Sequence, residues 1–248
     1  MTVPDIPAPL AAALGRAGRV AVLTGAGISA ESGIPTFREA QTGLWSRYRP
    51  EDLATPEAFE RNPQRVWEWY EWRRGIVAGA QPNAGHRALA QMEQHVADFT
   101  LITQNVDGLH RAAGSANVLE LHGNIRRSKC FDRGHEVARW PAAGNGPPRC
   151  PECGSLLRPD VVWFGESLPA AALAAAFAAT ERCEIFLSVG TSTVVAPASS
   201  LPFAALEHGA TVVEINPTAT PLTRAAHFTL AGSAAEVLPA LVAAAWGR

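Results

Sequence analysis

The stretch Val20-Ala21-Val22-Leu23-Thr24-Gly25-Ala26-Gly27-Ile28-Ser29-Ala30 decides the fold. It begins with a short apolar run that stops at a glycine turn, which is typical of a buried strand in a parallel sheet. The next six residues, from Gly25 to Ala30, fit the pattern G-x-G-x-x-G/A, in which glycines let the backbone approach a pyrophosphate at a helix N-terminus. Alone the pattern is weak, because a tight turn without any ligand can have it too.

The rest of the chain repeats this alternation of apolar runs and helical segments. Strands are predicted at 99–103, 117–121, 184–189 and 211–215, and helices at 10–16, 63–77, 170–180, 199–208 and 234–245, with another beginning after Asn83. This order predicts an α/β fold, a Rossmann-like and mostly parallel sheet with helices on both faces. We assign residues 1–125 and 160–248 to that domain, with a helical insertion near 55–95.

Residues 126–159 interrupt the alternation, since they are rich in Gly, Pro, Arg and Cys without a long periodic stretch. So short a segment cannot bury enough apolar surface to be stable alone and needs a cross-link such as a bound metal. Cys150 and Cys153 form the C-x-x-C half of a zinc ribbon. Cys130 lies upstream, but Arg133 stands where its partner is expected, and arginine cannot ligate zinc. His135 could complete a Cys₃His set; alternatively, this small inserted zinc-ribbon-like module holds zinc poorly or has lost it. Cys183 is predicted to be a buried thiol.

Composition excludes several classes of protein. The 248 residues carry a net charge of −2, with 18% charged and 47% hydrophobic residues, so disorder is excluded and nucleic-acid binding is not expected. The N-terminus lacks the positive charge of a signal peptide, and the longest apolar stretch, 169–179, is about half of a membrane span. We expect a cytoplasmic monomer that contacts no membrane.

The residues after the glycine motif argue against a hydride-transferring dehydrogenase. Such a unit needs a long helix and, about 20 residues on, an acidic anchor for the ribose. Here Gly33 and Pro35 end the helix early, and position 45 is tryptophan. The pyrophosphate end of the motif is present and the usual ribose anchor is missing.

Residues 25–38, which read GAGISAESGIPTFR, resemble the signature of the sirtuins, NAD-dependent protein-lysine deacylases. Three further stretches agree in order: TQNVDGLH at 103–110, LHG at 121–123 and VVWFGE at 161–166. Gly190-Thr191-Ser192 and Asn216 complete a pattern that covers nearly the whole chain. The resemblance implies that NAD⁺ is a co-substrate, consumed rather than reduced.

The resemblance also assigns roles to residues. His122 is the implied catalytic base, which activates a ribose hydroxyl after the acyl oxygen has displaced nicotinamide; an imidazole titrates in the right range. Backbone N–H groups at 25–27 would contact the pyrophosphate, Phe37 and Arg38 would lie in a mobile cofactor loop, and Asn105 and Asp107 would line the nicotinamide pocket. The implied NAD site comprises Gly25, Ala26, Gly27, Ser29, Ala30, Phe37, Arg38, Gln104, Asn105, Asp107, Gly190, Thr191, Ser192, Asn216 and Ala234.

The implied substrate is an acyl-lysine protein. Val162, Phe164 and Gly165 would pair with its backbone as an added strand. Tyr70 and Arg73 share one helix face. They reproduce a pair seen in the class III sirtuins, which remove succinyl and malonyl groups. The guanidinium of such a pair can bind the carboxylate of these acyl groups through two hydrogen bonds. Ala54 would leave room for the longer acyl chain, and Thr36 is typical of that subclass.

Three alternatives remain open at this point. The enzyme could be a plain deacetylase, or an ADP-ribosyltransferase that uses the same NAD site. The chain could also be an NAD-sensing or zinc-ribbon interaction protein. That alternative is weakened because His122, Asn105 and Asp107 are all present.

Overall fold

The computed structural model describes residues 5–35, 49–140 and 146–247, which form two sheets. In chain order the strands are β1 (Arg19–Thr24), β2 (Asp98–Thr103), β3 (Val118–Glu120), β4 (Gly123–Cys130), β5 (Glu136–Val137), β6 (Leu157–Val161), β7 (Ile185–Val189), β8 (Thr211–Asn216) and β9 (Phe228–Ala231). The large sheet has six parallel strands in the order β3-β2-β1-β7-β8-β9. This is the doubly wound Rossmann order, in which the chain runs outward in both directions from the junction of β1 and β7.

Eight α-helices accompany the strands in the described ranges. They are α1 (Ala8–Arg16), α2 (Pro56–Arg61), α3 (Pro63–Gly79), α4 (Ala84–His95), α5 (Leu109–Ala112), α6 (Ala170–Arg182), α7 (Leu201–Glu207) and α8 (Ala234–Trp246). Short 3₁₀ helices occur at Ala26–Ser32, Pro50–Asp52 and Ala198–Ser200. None of the helices described is both long and apolar enough to cross a membrane.

Alternate residues of β1 show that helices cover both faces of the large sheet. Val20 and Val22 pack in one core with α1, α4 and α8. Ala21 and Leu23 pack in the other core with α6 and α7. A strand buried on both faces must be apolar throughout, which is why its sequence is a continuous apolar run. The predicted α/β architecture is therefore confirmed.

Several predicted boundaries shift. The strand predicted at 117–121 is reduced to Val118–Glu120, so His122 follows its end at a distance of two residues. The segment predicted as one helix at 199–208 is a 3₁₀ turn followed by α7. The predicted starts of α3 and α4 are confirmed, since the side chain of Asn62 accepts the N–H of Arg65 at the start of α3 and Asn83 caps α4. The first helix begins at Ala8, two residues before the predicted start.

The small sheet, β5-β4-β6, is antiparallel, and its strands β4 and β6 contact α3 of the helical insertion. Gly123 pairs with Val161 at one end of the β4–β6 ladder, and Cys130 pairs with Leu157 at the other, with a bulge between them. Arg74 of α3 binds this sheet, because its Nε donates to the carbonyl of Ile125 at 2.6 Å. The insertion and the small sheet are thereby joined.

Candidate active site

The glycine turn lies at the junction of β1 and β7, where doubly wound sheets place their ligands. Gly25 N–H donates to the carbonyl of Val189 at 3.0 Å, and Gly27 N–H donates to that of Gly190 at 2.8 Å. A Cβ on Gly27 would lie 2.7 Å from Gly190 Cα, so the two backbones can approach only as glycines. The short helix that follows ends at Gly33, as predicted.

These bonds correct one expectation. The N–H groups of Gly25 and Gly27 are engaged with β7, so they are not both available to a pyrophosphate. Of the three backbone groups named above, only that of Ala26 has no acceptor in the described part of the chain. The glycines therefore serve the close approach of two backbones, and of the three residues only Ala26 lines the neighbouring cavity.

Polar side chains connect the strand ends beside this turn. Gln104 Nε2 donates to Thr191 Oγ1 at 3.0 Å, and Asn216 Nδ2 donates to the carbonyl of Thr191 at 3.2 Å. Ser192 is exposed, and Ala234 begins α8 with its carbonyl against Gly85. Phe37, Arg38 and Thr36 lie outside the described residues.

A cavity of about 350 Å³ opens next to the turn. Predicted NAD-site residues and the predicted base line one part of it: Ala26, Ser29, Gln104, Asn105, Asp107 and His122. Predicted substrate residues line the other: Ala54, Tyr70, Arg73, Val162, Phe164 and Gly165. The remaining predicted NAD-site positions, Gly25, Gly27, Ala30, Gly190, Thr191, Ser192, Asn216 and Ala234, do not line this cavity.

Asp107 is buried and held by two donors. Ser29 Oγ donates to Asp107 Oδ2 at 2.8 Å, and Leu109 N–H donates to Oδ1 at 2.8 Å. Burial raises the pKa of the Asp107 carboxyl, and the two hydrogen bonds act in the opposite direction. Asn105 Nδ2 donates to the carbonyl of Gly25 at 3.0 Å, which fixes its amide beside the turn. The wall behind the cavity is therefore rigid and polar.

His122 is oriented by backbone alone. Its Nδ1 lies 2.9 Å from the carbonyl oxygen of Gln104 and donates to it, which leaves Nε2 as the acceptor of the neutral ring. Burial lowers the pKa of His122, against the effect of that hydrogen bond. An imidazole that is neutral at pH 7 and has a free acceptor nitrogen can take a proton from a hydroxyl.

Tyr70 and Arg73 stand together in the far wall, one helical turn apart on α3. The guanidinium carbon of Arg73 lies 4.9 Å from the centre of the Trp69 ring, and burial lowers the pKa of Arg73 while Tyr70 acts to raise it. Burial raises the pKa of the Tyr70 phenol to about 12, so it remains a neutral hydroxyl. The wall offers a cation and a hydroxyl, a pairing suited to a carboxylate.

Residues 162–166, here named the acyl loop, connect β6 to the rest of the domain. Val162 N–H donates to the carbonyl of His122 and Phe164 N–H to that of Ala54, both at 2.9 Å. The loop therefore contacts both the predicted base and the predicted small residue of the acyl pocket. Phe164 itself is 53% exposed at the mouth of the cavity.

Sequence reasoning assigned no role to the ion pair that holds the acyl loop. Arg158, almost fully buried, binds both oxygens of Glu166, with Nη2 at 2.8 Å from Oε2. Glu166 Oε2 also accepts the N–H of Trp163 at 2.7 Å. Burial would raise the pKa of Glu166, but these bonds outweigh it and lower that pKa. The sequence feature that could have indicated this ion pair is Arg158 inside a strand, followed by Glu166 after the turn.

Two buried histidines lie behind the cavity and were left without a role. His110 Nε2 lies 2.9 Å from Thr24 Oγ1, and the His86 ring is centred 4.9 Å from that of His110. Burial lowers the pKa of His86 to about 4 and that of His110 to about 3. Both rings are therefore neutral parts of the core at pH 7.

The cysteines of the small module converge. The ligand atoms of Cys130, His135 and Cys150 lie within 4.8 Å of one another, and Cys153 Sγ lies 3.5 Å from Cys130 Sγ. Tetrahedral zinc with bonds of about 2.3 Å separates its sulfurs by about 3.8 Å. Cys130, His135 and Cys150 are thus close enough to share one zinc ion, with Cys153 beside Cys130 as the candidate fourth ligand, while Arg133 is exposed to solvent. Cys183, as predicted, is a buried thiol.

Comparisons with known proteins agree with this architecture. A sequence model of the Sir2 family matches residues 25–197. An NAD-dependent protein deacylase from Aquifex aeolicus is 56% identical over 212 residues, covering 84% of this chain and 88% of the relative. NAD-dependent protein deacylase 1 from Pseudomonas aeruginosa is 52% identical, with 92% and 95% covered. The crystal structure of a Sir2 homolog–NAD complex superimposes with a TM-score of 0.90 at 46% identity, covering 98% of this chain and 94% of that one.

Proposed function

The chain belongs to the Sir2 family, and we propose from that membership and from its cavity that it is an NAD-dependent protein-lysine deacylase that favours acidic acyl groups. Succinyl and malonyl groups would be its preferred substrates, with acetyl groups also removed. The products would be nicotinamide, O-acyl-ADP-ribose and free lysine. The names of the curated relatives support the deacylase activity, and the argument for the acyl preference comes from this chain's own residues.

One observation carries the acyl preference: Tyr70 and Arg73 line the same cavity as His122. A carboxylate buried in a cavity needs a paired cation, because an unpaired charge there costs several kcal/mol. Arg73 supplies that cation and the Tyr70 hydroxyl a further donor. Ala54, which is also small and buried, leaves depth for the longer chain of a succinyl group.

Each residue of the NAD half has a distinct task in this proposal. Bound NAD⁺ would supply a ribose carbon that the acyl oxygen can attack and nicotinamide as the leaving group. Asp107 offers carboxylate oxygens as acceptors in the nicotinamide pocket, and Ala26 offers a backbone N–H. His122 Nε2 receives the proton of a ribose hydroxyl, while its Nδ1 stays bonded to Gln104.

The acyl loop would seat the substrate peptide. The N–H groups of Val162 and Phe164 are engaged inside the protein, so an extended peptide would pair through Gly165 and the loop's carbonyl groups. The exposed side chains of Phe164 and Val195 flank that path. The four side chains around Cys130 would hold a structural zinc that staples the small sheet and takes no part in the chemistry.

The test is mass spectrometry with NAD⁺ and matched succinyl-, malonyl- and acetyl-lysine peptides. Loss of the acyl mass together with O-acyl-ADP-ribose supports a deacylase, whereas ADP-ribose added to the protein supports a transferase. Arg73→Met should lower kcat/KM for succinyl-lysine by about 100-fold, or about 3 kcal/mol, with little change for acetyl-lysine. Equal losses on both peptides would contradict the acidic-acyl preference.

A further inference from the structure

Trp163 and Tyr70 form a buried hydrogen bond across the cavity wall. The indole Nε1 of Trp163 lies 2.9 Å from the Tyr70 hydroxyl oxygen, and each residue is 2% exposed. An indole N–H can only donate, so the Tyr70 oxygen must be the acceptor. The hydroxyl hydrogen of Tyr70 must then point elsewhere, and it has no acceptor within residues 5–35, 49–140 and 146–247.

The indole ring is held in place on several sides. The guanidinium of Arg158 lies over it, 3.3 Å from the ring centre, and the carboxylate of Glu166 accepts its backbone N–H. The ring of Phe59 packs against it at 5.5 Å between centres. A side chain fixed in this way presents its N–H in a single direction, so the Tyr70 hydroxyl is fixed as well.

We propose that Trp163 is a specificity-determining positioning residue, whose indole N–H occupies the Tyr70 oxygen and thereby directs the Tyr70 hydrogen toward the carboxylate of an acidic acyl group. The inference rests on the function proposed above. Arg73 supplies the charge for that carboxylate, and Trp163, which also lines the cavity, acts through Tyr70. An accepted hydrogen bond also polarises a hydroxyl and strengthens the bond that it donates.

This arrangement would discriminate between acyl groups. A succinyl chain brings a carboxylate to the depth of Tyr70, where the directed hydrogen meets an acceptor. An acetyl group ends in a methyl, which gains nothing from that hydrogen. The contribution of Trp163 should therefore appear with acidic acyl groups and not with acetyl groups.

The substitution Trp163→Phe tests the proposal, because it keeps an aromatic ring against Arg158 and removes the N–H donor together with part of the ring volume. We expect the ratio of kcat/KM for succinyl-lysine to that for acetyl-lysine to fall about fivefold, mainly through a higher KM for succinyl-lysine, while the KM for NAD⁺ stays within about twofold of wild type. In a Tyr70→Phe background the same substitution should leave the succinyl-to-acetyl ratio unchanged, since no hydroxyl remains to be directed. Trp67→Phe, at a buried tryptophan of α3 that does not line the cavity, is the matched control.

Equal losses on both acyl groups, or a further change of the ratio in the Tyr70→Phe background, would overturn the assignment of Trp163. A wild-type succinyl-to-acetyl ratio in Trp163→Phe would also overturn it. If Arg73→Met abolished the succinyl preference in the same assay, the proposed acidic-acyl function would still stand. A wild-type enzyme that handles both peptides alike, with or without Arg73, would overturn both proposals. The two failures therefore give different patterns.

Discussion

The Nδ1–H of His122 donates to the backbone carbonyl of Gln104, so within the part of the chain that the structure describes the orientation of this ring depends on main chain and on no second side chain. We predict that His122→Ala lowers acyl removal by about 100-fold or more, the usual scale for loss of a general base. NAD⁺ binding, measured by calorimetry, should stay near that of wild type. A folded variant that keeps more than half of its turnover would show that another group is the base.

The acid limb of the pH profile should reflect the same residue. Burial lowers the pKa of His122 below its usual value near 6.5, so the neutral, proton-accepting form persists further into acid. We expect the acid limb of kcat/KM to be centred below pH 6.5, the usual value of an imidazole. A limb centred above pH 7 would contradict the assignment.

Acid stability should depend on the two buried histidines. The unfolded chain protonates them near pH 6.5, whereas the folded chain does so near pH 4 for His86 and pH 3 for His110. Their contribution is complete above pH 6.5 and is lost as the pH falls toward those values, by roughly 2 kcal/mol per histidine at pH 5. Urea unfolding at pH 7 and pH 5 measures this difference.

Two substitutions separate this effect from general acid sensitivity. His110→Asn should reduce the loss of unfolding free energy between pH 7 and pH 5, even if the variant is less stable at both. His208→Asn, at an exposed histidine, should leave that loss unchanged. Identical pH dependence in the two variants would argue against His110 as the titrating group.

Metal analysis should find about one zinc per chain in protein purified without chelators. Cys153→Ser and His135→Ala should each weaken zinc retention, because each removes one of four ligands, whereas Arg133→Ala should retain the metal. Elemental analysis of the three variants decides this. Protein that is folded and active with almost no zinc would show that the site has been lost.

The ion pair below the acyl loop should be a stability element. Glu166→Gln leaves Arg158 buried without its partner charge, so we expect the free energy of unfolding to fall by roughly 3 kcal/mol. Replacing both residues by leucine should cost less than the single change, because no charge then remains buried. Urea denaturation compares the two, and a double variant that is the less stable would contradict this account.

The large sheet was predictable because its central strands are buried on both faces. Such strands are mostly apolar, and the runs at 20–23 and 185–187 show this directly. The Asn83 cap was predictable for a local reason, since the side chain that starts α4 binds N–H groups only two and three residues away.

The small sheet and the loop contacts could not be found in the same way. The β4 strand carries Arg126, Arg127 and Lys129, and a bulge between Asn124 and Ser128 breaks the alternation that would identify a strand. Trp163 and Tyr70 are 93 positions apart, and neither residue type indicates such a bond. Tertiary pairing created these features, and no local pattern could indicate them.

The β4–β6 pairing also fixes a distance across the proposed site. His122 immediately precedes β4, and the acyl loop immediately follows β6. The pairing of Gly123 with Val161 therefore sets the spacing between His122 and the acyl loop. The cysteine cluster lies at the opposite end of the β4–β6 ladder, beyond the bulge. A change in the metal ligands at the far end of the ladder would therefore leave the proposed site intact as long as the pairing of Gly123 with Val161 is kept.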